Sequence, residues 1–496
     1  TRKESSAASD VYKRQGYGYG PMPPELDLSA VARGSVTAPA GCGKTQLIAD
    51  TLKEHSGNKP ILVLTHTNAG VAALRARMAR AAIPSSAYRI STIDGFAMRL
   101  VGKFPLRSGL PAQTLELTNP GHDYPAIRNA AANLLQAGHI NASLRATYAR
   151  LLVDEYQDCN AAQHCLVAWA AQILPTCVLG DPMQAIFGFG GNRLVNWQAD
   201  VEAQFPPIGM LQTPWRWRQA GTEELGQWLL NARVLLQAGQ AVELQGAPAE
   251  VQWVQLHAGT AEEQRRVAAR TRGRDPEHSV LIIGDAMNVR GRYQLTSQTP
   301  GATVVERVDL VEFIQFARTF DPAGANPLGQ VVEFAASLMT GVGATALLQR
   351  VQVLLHGRPR NPPTPIEAAA LAFARDPSVA EALHLLQLFA RQPGTHVYRP
   401  EVLRCCQAAM LAAARGSCTL HLAALQARER LRHMSRPVAR RAVGSTLLLK
   451  GLEADVAVVL EPQVMTAQHL YVALTRGARQ VIVCSPTSTL TPRAGG

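Results

Sequence analysis

The run Ala38-Pro39-Ala40-Gly41-Cys42-Gly43-Lys44-Thr45 limits what this chain can be more than any other stretch. Two glycines one residue apart let a backbone curl so that successive N–H groups point at one oxyanion. An extended run, Gly34 to Thr37, leads in, and an amphipathic segment, Gln46 to Glu54, leads out. That strand–loop–helix context is what a phosphate-binding loop requires, here with Ala38 in place of the usual first glycine. A chain rich in Ala and Gly can match such a pattern by chance, but the flanking elements make chance a poor account. The positive end of the helix dipole near Lys44 adds to the attraction for anions. The loop reads as a nucleotide cradle built from Ala38, Gly41, Cys42, Gly43, Lys44, Thr45 and Gln46. Lys44 is directed to the β- and γ-phosphates of ATP and Thr45 to Mg²⁺.

A second strong signal is Val153-Asp154-Glu155-Tyr156-Gln157-Asp158, preceded by Leu151-Leu152. A carboxylate at the end of a buried strand suits a hydrated Mg²⁺, the role assigned to Asp154. The adjacent Glu155 is placed to take a proton from an attacking water. Around these runs, apolar strands alternate with helical segments. Residues 60–65, 151–153 and 176–179 read as buried strands, with Ile90 to Thr92 as a shorter one. Helices are expected over 68–82, capped by Asn68, and over 161–173. The alternation predicts a parallel, doubly wound sheet with the chemistry at the strand C-terminal ends. Residues 125–137 read as a helix inside a small insertion, 103–148.

A second α/β unit follows, with strands at 251–256 and 279–283 around a helix at 261–272. Most of 308–432 is helical in pattern. Strand character returns at 445–449, 456–460 and 481–484, so the helical block reads as an insertion into the second α/β unit.

Bulk properties sharpen the partner class. The chain has 496 residues, is 47% hydrophobic and carries a formal charge of +12. A basic balance favours a polyanionic partner. Asp10-Val11-Tyr12-Lys13-Arg14-Gln15 is the translation of GATGTGTATAAGAGACAG, which looks like a sequencing-library adapter. Residues 1–15 are therefore set aside as an artefact, and 1–24 are read as an artefact or disordered tail. The eight cysteines form no CxxC pair and read as reduced thiols of a cytoplasmic protein. No apolar run approaches a membrane span, so no membrane partner is expected.

With the phosphate loop and the Asp-Glu strand end in place, further blocks resemble those of a UvrD/Rep-type superfamily 1A DNA helicase, in the family's order. Leu64-Thr65-His66-Thr67-Asn68-Ala69 resembles a motif that holds single-stranded DNA, which implies contacts from Thr65, His66 and Asn68. Ser91-Thr92-Ile93-Asp94-Gly95-Phe96 is similar to the next strand-contacting motif and implies Thr92 and Phe96. Leu179 to Phe187 resembles the motif that couples nucleotide to DNA. Gln184 would sense the γ-phosphate, with Phe187 and Phe189 stacking on bases. Thr213-Pro214-Trp215-Arg216-Trp217 resembles the block that supplies one arginine finger, Arg216, with Trp215 on the nucleotide base. Thr446, and Lys450-Gly451-Leu452-Glu453-Ala454-Asp455, resemble the late motif that contacts DNA and the nucleotide sugar. This implies Thr446 on DNA, with Gly451 and Glu453 on the nucleotide. Tyr471-Val472-Ala473-Leu474-Thr475-Arg476-Gly477-Ala478 resembles the last motif and implies Arg476 as the second finger.

The resemblance implies an α/β fold of two RecA-like P-loop NTPase domains with parallel sheets, each carrying a smaller, mainly helical insertion. Residues 25–102 and 149–209 would form the first domain, with 103–148 its insertion. Residues 210–320 and 434–490 would form the second, with 321–433 its insertion. The implied activity is ATP-dependent 3′–5′ movement on single-stranded DNA and unwinding at single-strand/duplex junctions, with Mg²⁺ as cofactor, in repair, recombination or phage defence. An alternative is an ATP-gated DNA sensor that recruits a partner nuclease without unwinding. A third is an NTPase indifferent to nucleic acid.

Overall fold

The computed structural model describes residues 26–188, 193–273, 275–307, 309–357, 361–433 and 439–494. These divide into two compact units. The first lies within 1–250, 465–479 and 489–496, and the second within 251–464 and 480–488. Each lobe is a mixed α/β body on a parallel sheet with helical insertions, the arrangement of tandem RecA-like domains.

The first sheet contains β1 (Arg33–Thr37), β2 (Ile61–Thr65), β3 (Tyr88–Thr92), β4 (Leu151–Val153), β5 (Thr176–Gly180) and β6 (Pro207–Met210). Its order is β3-β2-β4-β5-β1-β6, with every pairing parallel. The continuous apolar runs are explained by what lies on both faces. Leu62, Leu64, Leu151, Val153 and Val178 enter one core, shared with the helices Ile93–Lys103, Pro120–Gln136 and Ala161–Ala171. Their neighbours Ile61, Val63, Leu152, Cys177 and Leu179 enter the opposite core, against the helices Lys44–Glu54 and Asn68–Arg80. Successive side chains of a strand point to opposite faces, so a strand covered on both sides must be apolar throughout.

The strands of the second sheet, β8 (Val251–Gln255), β9 (Val280–Ile283), β10 (Ala302–Val304), β11 (Arg441–Gly444), β12 (Ala454–Val459) and β13 (Gly477–Ser485, in the second unit from Gln480), lie in the order β10-β11-β9-β12-β13-β8. Two short strands, β7 (Val242–Glu243) and β14 (Thr489–Leu490), pair antiparallel in the first unit. Helices from Val311–Thr319 to Leu420–His433 enclose a separate apolar core.

Three local readings need correction. The helix after β2 is capped by Thr67, whose hydroxyl accepts the Gly70 N–H at 3.0 Å, and Asn68 is its first residue. The insertion helix begins at Pro120, not Pro125. A proline is tolerated at a helix start, and Asp123 folds back to accept the Asn119 N–H at 2.8 Å. Residues 445–449 are not a strand. β11 ends at Gly444, and Thr446–Leu449 is a short helix whose Leu448 and Leu449 N–H groups bond Ser445 O.

Candidate nucleotide site

β1 delivers the chain at Thr37 to the loop, and the loop delivers it to the helix Lys44–Glu54. Gly41 and Gly43 hold φ of +70° and +88°, where a side chain is strained. Gly41 is required twice over, because a Cβ there would stand 2.5 Å from the Trp217 ring. Ala38 and Cys42 are anchored in the core below. Gln46 donates to Asp50 Oδ1 at 2.6 Å and accepts from Arg77. Thr45, at the second helical position, is half-buried.

Lys44 Nζ lies 3.0 Å from Asp154 Oδ1 and also pairs with Glu155. Burial alone would lower the ammonium pKa. The two carboxylates outweigh it, and the net shift is upward. For Asp154 burial is the larger influence, opposed by Lys44, and its carboxyl pKa is raised. Glu155 occupies the left-handed region at φ +56°. For a non-glycine residue this costs about 1–3 kcal/mol, and such strain clusters at functional sites. Its Oε2 accepts from Gln157 Nε2 at 2.6 Å, and Gln157 Oε1 accepts the Asp181 N–H at 3.1 Å. Asp181 Oδ2 in turn accepts from Gln184 Nε2 at 3.1 Å. A continuous chain of bonds therefore runs from Lys44 to Gln184.

The late blocks meet the loop directly. Residues 210–250 and 465–479, assigned from sequence to the second domain, pack in the first unit. The Arg216 N–H donates to Gly41 O at 3.0 Å. Its guanidinium donates to Thr475 O at 2.6 Å and lies over the Trp217 ring at 5.1 Å. Trp217 Nε1 donates to Gly477 O at 2.9 Å. The Ala40 N–H donates to the buried Tyr471 hydroxyl at 3.1 Å. Arg476 is buried, with Nε on Val472 O at 2.8 Å. Trp215 is half-buried, stacked on by Arg218 at 5.1 Å. Trp217, Tyr471, Gln157 and Arg233 are the residues that sequence reasoning left without a role. Trp217, Tyr471 and Gln157 lie within motifs recognisable in the sequence, whereas nothing in the sequence marks Arg233.

The residues expected on DNA are dispersed. His66 and Phe187 share a face of the first unit, with ring centroids 6.4 Å apart and planes inclined by 24°. Asn68, just after His66 in the chain, is exposed. Thr65 is fully buried, and its Oγ1 has no hydrogen-bond partner. The Thr92 hydroxyl caps the helix Ile93–Lys103 by accepting the Gly95 N–H at 2.9 Å. Phe96 is a correction. At 1% exposure it packs in the core, because Ile93, Phe96, Ala97, Leu100 and Val101 form that helix's apolar face. Asp94, beside it, is bound by both Arg128 Nε and Nη2, at 2.6 and 2.8 Å. Phe189 lies outside the described residues. In the second unit, Thr446 is buried at the start of its short helix, while Gly451, at φ +80°, and Glu453 are exposed.

All eight cysteines are free thiols. Among the described residues no helix is long and apolar enough to cross a membrane, and no cluster of three or more His, Cys, Asp or Glu side chains could hold a metal ion.

The family described as the UvrD/REP helicase N-terminal domain matches residues 112–203. The matched stretch contains Asp154, Glu155, Asp181 and Gln184, and it points to the UvrD/Rep superfamily. No curated protein matches the chain.

Proposed function

We propose that this protein is an ATP hydrolase that moves 3′ to 5′ on single-stranded DNA and separates duplex at single-strand/duplex junctions. The observation that carries the reading is the convergence on one phosphate loop. Lys44 sits between Asp154 and Glu155, while the Arg216 backbone and the Tyr471 hydroxyl bond the loop itself. The strand polarity rests on the resemblance alone.

The residues fit a nucleotide with Mg²⁺. The two positive-φ glycines open the loop, and buried Asp154 Oδ1 has no hydrogen-bond partner of proper geometry beyond its ion pair. Lys44, Thr45 and Asp154 would hold the group, which would supply the transferable phosphoryl and a Lewis acid. Lys44 is charged before any phosphate arrives, and its present partners are the carboxylates. Phosphate oxygens must therefore compete with Glu155 for Lys44, and that exchange would release Glu155 to accept a proton from water. Arg216 and Arg476 would add the remaining positive charge needed where negative charge develops. The His66–Phe187 face offers aromatic rings of the kind that grip single strands without regard to sequence.

ATP turnover with and without single-stranded DNA, alongside unwinding of 3′- and 5′-tailed duplexes, tests the proposal. DNA-stimulated turnover with unwinding of the 3′-tailed substrate is the expected result. Stimulated turnover without strand separation would favour an ATP-gated sensor that recruits a nuclease. Turnover indifferent to DNA would favour an NTPase with another partner.

A further inference from the structure

Arg233 and Asp181 form a buried ion pair for which the proposed chemistry has no assigned use. Arg233 lies on the helix Glu223–Gln237, which follows the short helix Trp215–Ala220 that carries Arg216. Its exposure is 5% and that of Asp181 is 0%. Arg233 Nε and Nη2 both donate to Asp181 Oδ1, at 3.1 and 2.8 Å, and Nη1 donates to Gln237 Oε1 at 3.1 Å. The carboxylate is held from every side. Oδ1 also accepts the Met183 N–H at 3.1 Å, and Oδ2 accepts from Gln184.

Asp181 touches both glutamines, its carboxylate accepting from Gln184 and its backbone N–H donating to Gln157, and Gln157 in turn holds Glu155. The neighbouring Gly180 leaves the space this needs, since a Cβ there would stand 2.6 Å from Gln157 Oε1. A buried carboxylate that loses a two-donor partner is left under-bonded, and turning to recover a bond costs less than staying so. A rotated Asp181 would present different atoms to Gln184.

We propose that Arg233 is a positioning residue, which fixes Gln184 through the Asp181 carboxylate and so ties the helix Glu223–Gln237 to the hydrolytic site. The inference rests on the ATP-hydrolase reading above. It makes the guanidinium fork, and not merely a positive charge, the determinant, since a lysine cannot place two donors on one oxygen in a fixed plane.

The test is Arg233→Lys, read by steady-state ATPase kinetics at saturating single-stranded DNA, by crystallography and by a double-mutant cycle with Gln184→Ala. The expected result is a fall in kcat of at least about tenfold with KM for ATP little changed, the pattern of an interaction that matters in the transition state. The crystal structure should show Gln184 turned away from Asp181. The two substitutions should be strongly non-additive. A purely structural role would instead lower thermal stability and leave kcat per folded molecule intact. Unchanged kcat, additive effects, or an Arg233→Lys structure with the Gln184 bond to the Asp181 carboxylate preserved would overturn the proposal. If Arg233→Lys does not fold, Asp181→Asn, which keeps the shape and an acceptor oxygen, is measured with the same expectations. A wild-type protein without ATPase activity would refute the hydrolase reading, and the crystallographic arm would then decide the relay alone.

Discussion

Gly41→Ala is the substitution whose cost can be built most completely from the structure. At φ +70° the new side chain enters the left-handed region, at about 1 kcal/mol. The Cβ would also meet Trp217 Cζ3 at 2.5 Å, Trp217 Cη2 at 3.0 Å and Arg216 Cβ at 3.1 Å. The indole cannot easily retreat, because it is 1% exposed and its Nε1 is tied to Gly477 O. Forcing volume into such a site costs about 1–3 kcal/mol. The sum is about 2–4 kcal/mol. Gly221→Ala is the control, since Gly221 has φ +75° but open space where its Cβ would go. It should lose only the backbone share. Thermal unfolding of the two variants, followed by tryptophan fluorescence, measures the difference. Trp217→Phe removes the ring atoms in conflict, so the penalty of Gly41→Ala should shrink in that background. Equal losses for Gly41→Ala and Gly221→Ala, or a penalty indifferent to residue 217, would refute the seating of the phosphate loop on Trp217.

Other outcomes follow from the same geometry. Lys44→Met removes the cation that holds the Asp154 pKa down, so that carboxyl's pKa rises further above its ordinary 3.8. A carboxyl with a raised folded pKa stabilises the fold as pH falls through that value. The variant's stability deficit against wild type should therefore be larger at pH 8 than at pH 5, in thermal melts across that window. Lys44 itself, shifted above 10.5, contributes fully throughout. An equal deficit at both pH values would contradict the pairing. Asp94→Ala leaves Arg128, 16% exposed, without its carboxylate. It should destabilise the fold by about 1–3 kcal/mol in the same melts, with little change in the KM for ATP. Phe187→Ala should weaken single-stranded DNA binding by about 1–3 kcal/mol, read by fluorescence anisotropy, while turnover without DNA is unchanged.

How much could be read from the sequence depends on the range of the forces involved. The strands of the first sheet announce themselves because burial on both faces leaves an unbroken apolar run, as in Ile61-Leu62-Val63-Leu64. The glycine loop before Lys44 is local in part, since Gly41 and Gly43 answer to their own backbone angles, although Trp217 also crowds Gly41. Partners far apart in the chain leave no such trace. Ala40 and Tyr471 are 431 residues apart and Trp217 and Gly477 are 260 apart, and neither contact has a sequence period. Phe96 is a different lesson. Its motif position argued for a DNA contact, yet the spacing Ile93, Phe96, Ala97, Leu100, Val101 already described a buried helix face. The turn at Thr446 shows short-range competition. Ser445, Thr446 and the leucines have strand-like character, but the Ser445 carbonyl collects the N–H groups of a helical turn instead.

The central claim is that a nucleotide's phosphates are held by Lys44 and hydrolysed with Glu155. ATP turnover at saturating single-stranded DNA, compared between wild type, Lys44→Ala and Glu155→Gln, tests it most directly. Both variants should lose turnover by at least about a hundredfold. Glu155→Gln should still bind a fluorescent ATP analogue, while Lys44→Ala should bind it weakly. Wild-type-like turnover in the Lys44→Ala protein would contradict the account.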